Sequence, residues 1–97
     1  MSGDELTMEK TFKVTSDTGI HARPATALVN ASNKFKSGVF AESKGKKVTM
    51  KSILGVLSLG LEENDILTLS AEGEDAAEAI AALEEIMVKE GLGELHA

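Results

Sequence analysis

Apolar residues recur at every second residue in some segments of this chain and at every third or fourth residue in others. The order of these segments limits the folds that the chain can adopt. Alternation at every second residue indicates a strand with one apolar face, whereas the wider spacing indicates a helix with one apolar stripe. The pattern predicts strands at 10–15, 37–43, 46–51 and 67–71 and helices at 22–33, 53–59 and 76–90. Elements with one apolar side pack as two layers. The β-α-β-β-α-β-α order therefore predicts an α+β fold, with helices covering one side of an antiparallel sheet.

Turn and cap residues place the boundaries of several predicted elements. Gly45 is the central residue of SKGKK, which predicts a hairpin turn between the second and third strands. Ser52 and Gly60 flank the short helix as a typical N-cap residue and a C-terminal glycine. Asp75 precedes Glu78 by three residues, which is capping-box spacing, so we expect this pair to cap the last helix.

Length and composition favour one small domain. The chain has 97 residues, and we expect residues 9–97 to form the domain and residues 1–8, which lack periodicity, to be a flexible N-terminal extension. The start is acidic and polar, unlike a secretory signal, and no apolar run approaches the ~20 residues of a membrane-spanning helix. The lack of cysteine excludes disulfides and thiolate metal sites and fits a reducing compartment, so a cytoplasmic location is expected.

Charge is distributed unevenly along the sequence. The formal net charge is −6, which disfavours nucleic acid as a partner, and the three phenylalanines are the only aromatic residues available to stack on bases. The basic residues are concentrated in 1–51 and the acidic residues in 52–97. A basic half beside an acidic half can orient an approaching protein, although an ordinary solvated surface would have the same composition.

The segment GIHARPAT, residues 19–26, brings a histidine, an arginine and the only proline to the start of a predicted helix. We expect His21 at the N-cap and Pro24 in the first turn, where its missing N–H is not needed. The helix end offers unpaired N–H groups and partial positive charge, and Arg23 adds a planar donor, a combination suited to phosphate. Because a neutral imidazole nitrogen is a nucleophile, the segment predicts a phosphohistidine site. A surface histidine that only caps the helix is the alternative.

The short helix after Ser52 offers a second candidate site. A phosphate on the Ser52 hydroxyl would gain the interaction with the helix end and have Lys51 as a neighbour, whereas an ordinary serine N-cap is the alternative. Ile53, Leu54, Val56 and Leu57 are all apolar, so we expect this short helix to leave some of their side chains exposed as a patch for a partner. The alternative is that all four are core residues.

Neither a metal site nor a cofactor is expected. The two histidines, His21 and His96, are far apart, no acidic cluster accompanies them, and His96 receives no role. The sequence contains no glycine-rich phosphate loop and no spacing typical of a serine hydrolase triad. A complete active site for independent turnover is therefore not predicted.

Two segments together, GIHARPAT and MKSILGVLSLG, resemble the HPr family. These are the histidine-containing phosphocarriers of the bacterial phosphoenolpyruvate-dependent sugar phosphotransferase system, here of the Gram-positive type with a regulatory serine. The resemblance covers about residues 9–94, and KEGLGE near the end adds to it. It implies an open-faced β-sandwich in which three helices cover one side of a four-stranded antiparallel sheet.

The resemblance also implies roles for particular residues. His21 would accept a phosphoryl group on Nδ1 from enzyme I and pass it to enzyme IIA domains of sugar permeases, with Arg23 stabilising the phosphate. Ser52 would be phosphorylated by HPr kinase/phosphorylase, and the phosphoserine form would bind catabolite control protein A in carbon catabolite repression. Five residues would contact partners: Ile53, Leu54, Leu57, Ala22 and Pro24. The implied protein is a carrier rather than an independent catalyst, with no cofactor, no nucleic-acid partner and no membrane insertion.

Three other interpretations stay open at this point. A regulatory paralogue resembling Crh would act only through phosphorylated Ser52, but that paralogue type lacks the histidine present here at position 21. A carrier of a nitrogen-linked phosphotransfer branch and an unphosphorylated adaptor are the others. The chain departs from the family pattern at Leu54 and Leu57, where many members carry methionine, and in the more basic segment KSGVFAESKGKK.

Overall fold

The computed structural model describes residues 7–96, and this part of the chain forms five strands and three helices. Their order is β1 (Thr7–Val14), α1 (Ala22–Ser32), β2 (Gly38–Ser43), β3 (Lys46–Thr49), α2 (Ile53–Leu57), β4 (Ile66–Glu72), α3 (Ala76–Lys89) and β5 (Gly93–Leu95). The predicted order of the first seven elements is confirmed. No helix in the described part of the chain is long and apolar enough to cross a membrane.

The strands form one antiparallel sheet in the order β3-β2-β4-β1-β5. The sequence predicted four strands, and the fifth, β5, pairs with β1 through Val14↔Gly93 and Phe12↔Leu95. Three residues are too few to show an alternating pattern, so the periodicity gave no sign of β5. The predicted α+β fold is confirmed with one added edge strand.

The sheet begins earlier in the chain than the sequence predicted. The first strand starts at Thr7 rather than Lys10, because Thr7 and Met8 pair with Glu72 and Ala71 at the far end of β4. Two residues assigned to the N-terminal extension are thus part of the sheet. Residues 1–6, the rest of that predicted extension, lie outside the described residues.

The core lies between the sheet and the three helices, as one-sided alternation predicts. Apolar residues on one face of the sheet are fully or almost fully buried, and the helices contribute the other side of the core. The sheet supplies Phe12, Val14, Val39, Ala41, Leu67, Leu69 and Ala71, and the helices supply Ala25, Leu28, Val56, Ala79, Ile80, Leu83 and Met87. On the uncovered face the side chains are more polar; for example, the hydroxyls of Thr11 and Thr68 are 3.1 Å apart.

The predicted capping box at the start of α3 is wrong. Asp75 is the N-cap residue, but its carboxylate makes no cap hydrogen bond to α3. It instead accepts hydrogen bonds from the backbone N–H groups of Lys36 and Ser37, both at 2.9 Å, and from the Ser37 hydroxyl. The segment that enters β2 passes close to the start of α3, and its donors compete successfully for the carboxylate.

Candidate functional site

His21 is the N-cap residue of α1, as predicted. Its backbone is extended, with φ −100° and ψ −165°, and its side chain is exposed. Its carbonyl oxygen accepts the hydrogen bond from Ala25 N at 3.0 Å that opens the helix, whereas its imidazole makes no cap hydrogen bond within the described residues. The interpretation of His21 as a side-chain cap is therefore wrong, and its ring nitrogens are available to a reacting group.

The first turn of α1 is suited to an anion. The first N–H groups of an α-helix have no intrahelical partner, and Pro24 has none to offer, so Ala22 and Arg23 supply the amide donors nearest to His21. That turn, which lies wholly within the described residues, holds no acidic side chain. Arg23, two residues after His21, is exposed, so its guanidinium is accessible as a planar donor for phosphate oxygens.

The loop before His21 is fixed by a close approach to Leu61. Gly19 has φ +69°, and a Cβ built on it would lie 2.2 Å from the Leu61 carbonyl oxygen. The same oxygen accepts a hydrogen bond from Ile20 N at 3.3 Å, and Ile20 is buried. The two residues that precede His21 are thus held by the loop after α2, a contact that no local pattern in the sequence predicts.

The start of α2 lies beside the end of α1. Asn33 Nδ2 donates to the Lys51 carbonyl at 3.4 Å, and Lys51 Nζ donates to the Phe35 carbonyl at 2.8 Å. The chain after α2 returns to the other end of α1 through the contact between Leu61 and Ile20. The two helices therefore run side by side in opposite directions.

His21 and Ser52 consequently stand at opposite ends of α1. The eleven residues of α1, at a rise of 1.5 Å each, separate its ends by about 16 Å. Ser52 is the N-cap of α2, as predicted, and its hydroxyl accepts a hydrogen bond from Gly55 N at 3.1 Å. The five-residue helix α2 begins at the Ser52 site and spans about 8 Å of that distance.

The apolar side chains of α2 are unequally exposed. Leu54 is 80% exposed and Ile53 is 38% exposed, whereas Leu57 is partly buried and packs against the core. Of the two α1 residues expected to contact partners, Ala22 is exposed and Pro24 is buried. The exposed patch is therefore centred on Leu54, and Pro24 serves the packing of α1.

A cleft of about 370 Å³ opens beside the His21 loop. It is lined by Asp17, Thr18, Gly19, Glu62 and Glu63. Three carboxylates repel a phosphate, so the cleft does not suit the anion that the helix end attracts. Within residues 7–96, no three His, Asp or Glu side chains are grouped in a way that could hold a metal ion. His96 is exposed, and its backbone N–H donates to the Thr11 carbonyl at 2.8 Å.

Comparison with known families decides the relationship. Residues 8–89 match the model of the PTS-HPr family, described as the PTS HPr component phosphorylation site. The chain belongs to the HPr family. Its match to HPr covers the His21 segment, the three helices and nearly all of strands β1 to β4, so both candidate sites lie inside the matched region and only β5 lies wholly outside it.

Solved HPr structures agree with this assignment. The histidine-containing phosphocarrier protein of Mycoplasma is 30% identical, with 90% of this chain and 99% of that chain covered and a TM-score of 0.88. The phosphocarrier protein HPr of Bacillus anthracis is 38% identical, with 82% and 95% covered and a TM-score of 0.76. Crh, the catabolite repression HPr of Bacillus subtilis, is 42% identical, with 81% and 94% covered and a TM-score of 0.61. The similarity thus extends to HPr carriers and to Crh.

Proposed function

We propose that this chain is a phosphocarrier that accepts a phosphoryl group from enzyme I on His21 and passes it to enzyme IIA domains of sugar permeases. The observation that carries the proposal is the exposed imidazole of His21 at the N-terminus of α1, free of any cap hydrogen bond to the helix. A helix N-terminus with no acidic side chain in its first turn stabilises a phosphate on that ring.

The transfer needs little chemistry from this chain itself. The electron pair of unprotonated Nδ1 forms the new bond to phosphorus, while the pair of the old bond leaves with the donor atom of enzyme I. The second transfer reverses these roles, with His21 as the leaving group. The amides of Ala22 and Arg23 and the Arg23 guanidinium orient the phosphate oxygens in both steps. Enzyme I and the permease domains supply the remaining groups, so this chain acts as a relay.

Regulation through Ser52 is the second part of the proposal. Phosphorylation by HPr kinase/phosphorylase would add negative charge at the N-terminus of α2, where a helix end favours it. That charge would stand next to the exposed side chains of Ile53 and Leu54, where enzyme I and the permease domains would dock. The phosphoserine form would bind catabolite control protein A, and so connect sugar uptake to carbon catabolite repression.

Incubation with enzyme I and phosphoenolpyruvate tests the carrier function. We expect mass spectrometry to show one acid-labile phosphoryl group on the wild-type chain and none on His21→Ala, because Nδ1 is the acceptor atom. His96→Ala is the matched control, since it also removes an exposed histidine and is expected to take up phosphate at the wild-type rate. Stoichiometric acid-labile phosphate on His21→Ala would refute the assignment. Circular dichroism of His21→Ala is expected to match that of the wild type, because the side chain bonds to nothing in the helix.

A Crh-like regulatory protein that acts only through phosphorylated Ser52 is the second candidate. Its support is the 42% identity to Crh of Bacillus subtilis over 81% of this chain. The two candidates differ in the fate of His21, since only a carrier exchanges phosphate there. Transfer from the phosphorylated chain to an enzyme IIA domain supports the carrier, whereas phosphorylation by HPr kinase alone supports the regulator.

A further inference from the structure

Lys44 occupies the turn between β2 and β3 in a conformation that lysine rarely adopts. Its φ is 56° and that of Gly45 is 80°. Two successive positive φ angles are typical of a type I′ hairpin turn, in which asparagine, aspartate and glycine are favoured at the first position. A lysine in the left-handed region carries backbone strain, and such strain persists where the surrounding structure holds the residue in place. The side chain of Lys44 shows what holds it.

The ammonium group of Lys44 reaches from the hairpin to the loop that follows α2. Its Nζ donates to the Gly60 carbonyl at 3.0 Å and lies 2.9 Å from Asp65 Oδ2. The same Oδ2 accepts a hydrogen bond from Glu62 N at 2.8 Å. The Glu62 amide and the Lys44 ammonium both stabilise the Asp65 carboxylate and so lower the pKa of that group. One side chain thus connects both ends of loop 60–65 to the hairpin.

Loop 60–65 in turn supports the residues before His21. Leu61, between the two points held by Lys44, carries the carbonyl oxygen that accepts from Ile20 N and that closely approaches Gly19. His21 follows directly on this contact. The Lys44 ammonium is thus connected to the backbone before His21 through the Gly60 carbonyl, the Asp65 carboxylate and the Leu61 carbonyl. Asp65 contributes the one side chain of loop 60–65 in this connection.

We propose that Lys44 is a positioning residue for phosphoryl transfer. Its ammonium holds loop 60–65 against Gly19 and Ile20, and this contact sets the place of the His21 ring relative to the first turn of α1. The effect on transfer rests on the proposed function of His21. The effect on the loop rests on the contacts alone, so the two can be tested separately.

Lys47 provides a matched control in the same hairpin. Its ammonium lies 5.0 Å from the centre of the Phe40 ring, and it makes no hydrogen bond or ion pair to loop 60–65 in the described part of the chain. Lys44→Met and Lys47→Met therefore remove the same charge from the same hairpin, but only the first releases the loop. Any general effect of hairpin charge on the approach of enzyme I is common to both variants.

The first measurement is the rate of His21 phosphorylation by enzyme I at low ionic strength. We expect Lys44→Met to lower it about two- to fivefold relative to Lys47→Met, the range of a partly exposed ion pair expressed as a rate ratio. Lys44→Arg is expected to restore most of the rate. Lys44→Asn suits the turn but lacks the ammonium, so it is expected to unfold at or above the wild-type temperature and still transfer slowly. If Lys44 only stabilised the fold, the phosphorylation rates of the Lys44 variants would rank in the same order as their unfolding temperatures.

The second measurement does not depend on enzyme I. In the free protein, the amide chemical shifts of Gly19 and Ile20 are expected to move in Lys44→Met and Asp65→Asn and to stay in place in Lys47→Met. Equal rates and unmoved amide shifts for the two lysine variants would overturn the proposal. If the wild-type chain takes up no phosphate at His21, the proposed function fails, and the amide shifts alone then decide whether Lys44 holds the loop.

Discussion

At the residue scale, Gly19 has the most restricted environment near the candidate site. Its φ of +69° is a backbone conformation that L side chains rarely adopt, and the Leu61 carbonyl leaves no room for a Cβ. The close approach to Leu61 also holds Ile20, the residue next to His21, through the hydrogen bond from Ile20 N to the same carbonyl oxygen.

Gly19→Ala is expected to be more damaging than an alanine at a glycine with the same backbone angle. Gly91 is the control, because its φ is +67° and an added Cβ would meet nothing within 4 Å. We expect Gly91→Ala to lower the free energy of unfolding by about 1 kcal/mol through backbone strain, and Gly19→Ala to lower it by about 2–4 kcal/mol through strain and crowding together. Urea unfolding measures both values. Equal losses would show that Leu61 moves aside without cost.

Phosphorylation of His21 in the same two variants separates stability from position. The Gly19→Ala chain, under conditions in which it is fully folded, is expected to accept phosphate more slowly because its His21 loop is displaced. Gly91 lies at the end of α3, so Gly91→Ala is expected to accept phosphate at the wild-type rate. A wild-type rate in folded Gly19→Ala would contradict a positioning role of the Leu61 contact.

At the element scale, the five-residue helix α2 has a candidate modification site at its N-cap and a candidate docking surface among its exposed side chains. A helix of this length is not stable alone, so it depends on packing and on its cap. Val56 is buried and Leu57 partly so, and these two anchor α2 to the core. Ile53 and Leu54 face solvent directly after Ser52. A charge introduced at Ser52 therefore enters the exposed patch rather than the core.

Ser52→Asp is expected to slow phosphorylation of His21 while the protein stays folded. Aspartate is a good N-cap residue and is favoured at a helix N-terminus, so the free energy of unfolding is expected to stay within about 1 kcal/mol of the wild type. The carboxylate beside Ile53 and Leu54 must lose water when that patch docks on enzyme I, which weakens docking. Because aspartate carries less charge than phosphoserine, we expect a partial effect.

The measurement for Ser52→Asp is the initial rate of His21 phosphorylation at several salt concentrations. Ser52→Ala is the control, since it removes the cap hydrogen bond to Gly55 without adding charge and is expected to transfer at nearly the wild-type rate. The difference between the two variants is expected to be largest at low salt, where charge effects are least screened. A rate for Ser52→Asp equal to that of the wild type at low salt would place Ser52 outside the docking surface.

At the scale of the whole molecule, Asp75 connects segments that are far apart in sequence. Hydrogen bonds from the Ser37 hydroxyl and from the Lys36 and Ser37 amides lower the pKa of the Asp75 carboxyl to about 2, against a usual value of 3.8. They join the start of α3 to the segment that enters β2. A carboxyl with a lowered pKa in the folded state contributes stability while it is ionised in both states.

This linkage predicts a specific dependence of stability on pH. The contribution of Asp75 is present in full above the unfolded-state pKa of 3.8 and is lost as pH falls through about 2. The difference in free energy of unfolding between the wild type and Asp75→Asn is therefore expected to be constant above about pH 5 and to shrink between about pH 4 and 2. In Ser37→Ala, which lacks the largest cause of the shift, the contribution of Asp75 is expected to be smaller, and its loss is expected to be complete at a higher pH than in the wild type. A difference that stays constant down to pH 2 would contradict this account.

The sequence by itself determined the order of the first seven elements, the one-sided core and the place of both candidate acceptors. Alternation and helical spacing depend only on residues close in sequence, so they indicate strands and helices whatever the final packing. His21 and Ser52 are likewise recognisable from their positions directly before predicted helices. In the strand predicted at 10–15, alternation puts Phe12 and Val14 on the same face, and both are fully buried. Local pattern fails where an element is too short to show a period, as for β5.

Only the tertiary structure decided how distant groups meet. Local spacing predicts that the Asp75 side chain caps α3. In the structure it accepts hydrogen bonds from the amides of Lys36 and Ser37, which are 39 and 38 residues away in the sequence. Leu61 and Gly19 likewise meet only because α2 runs back along α1, and Lys44 reaches Asp65 only once β2 and β3 have joined the sheet. No periodicity or spacing encodes such contacts, because each results from the packing of complete elements, in which the hydrogen bonds that can form depend on which donors come close.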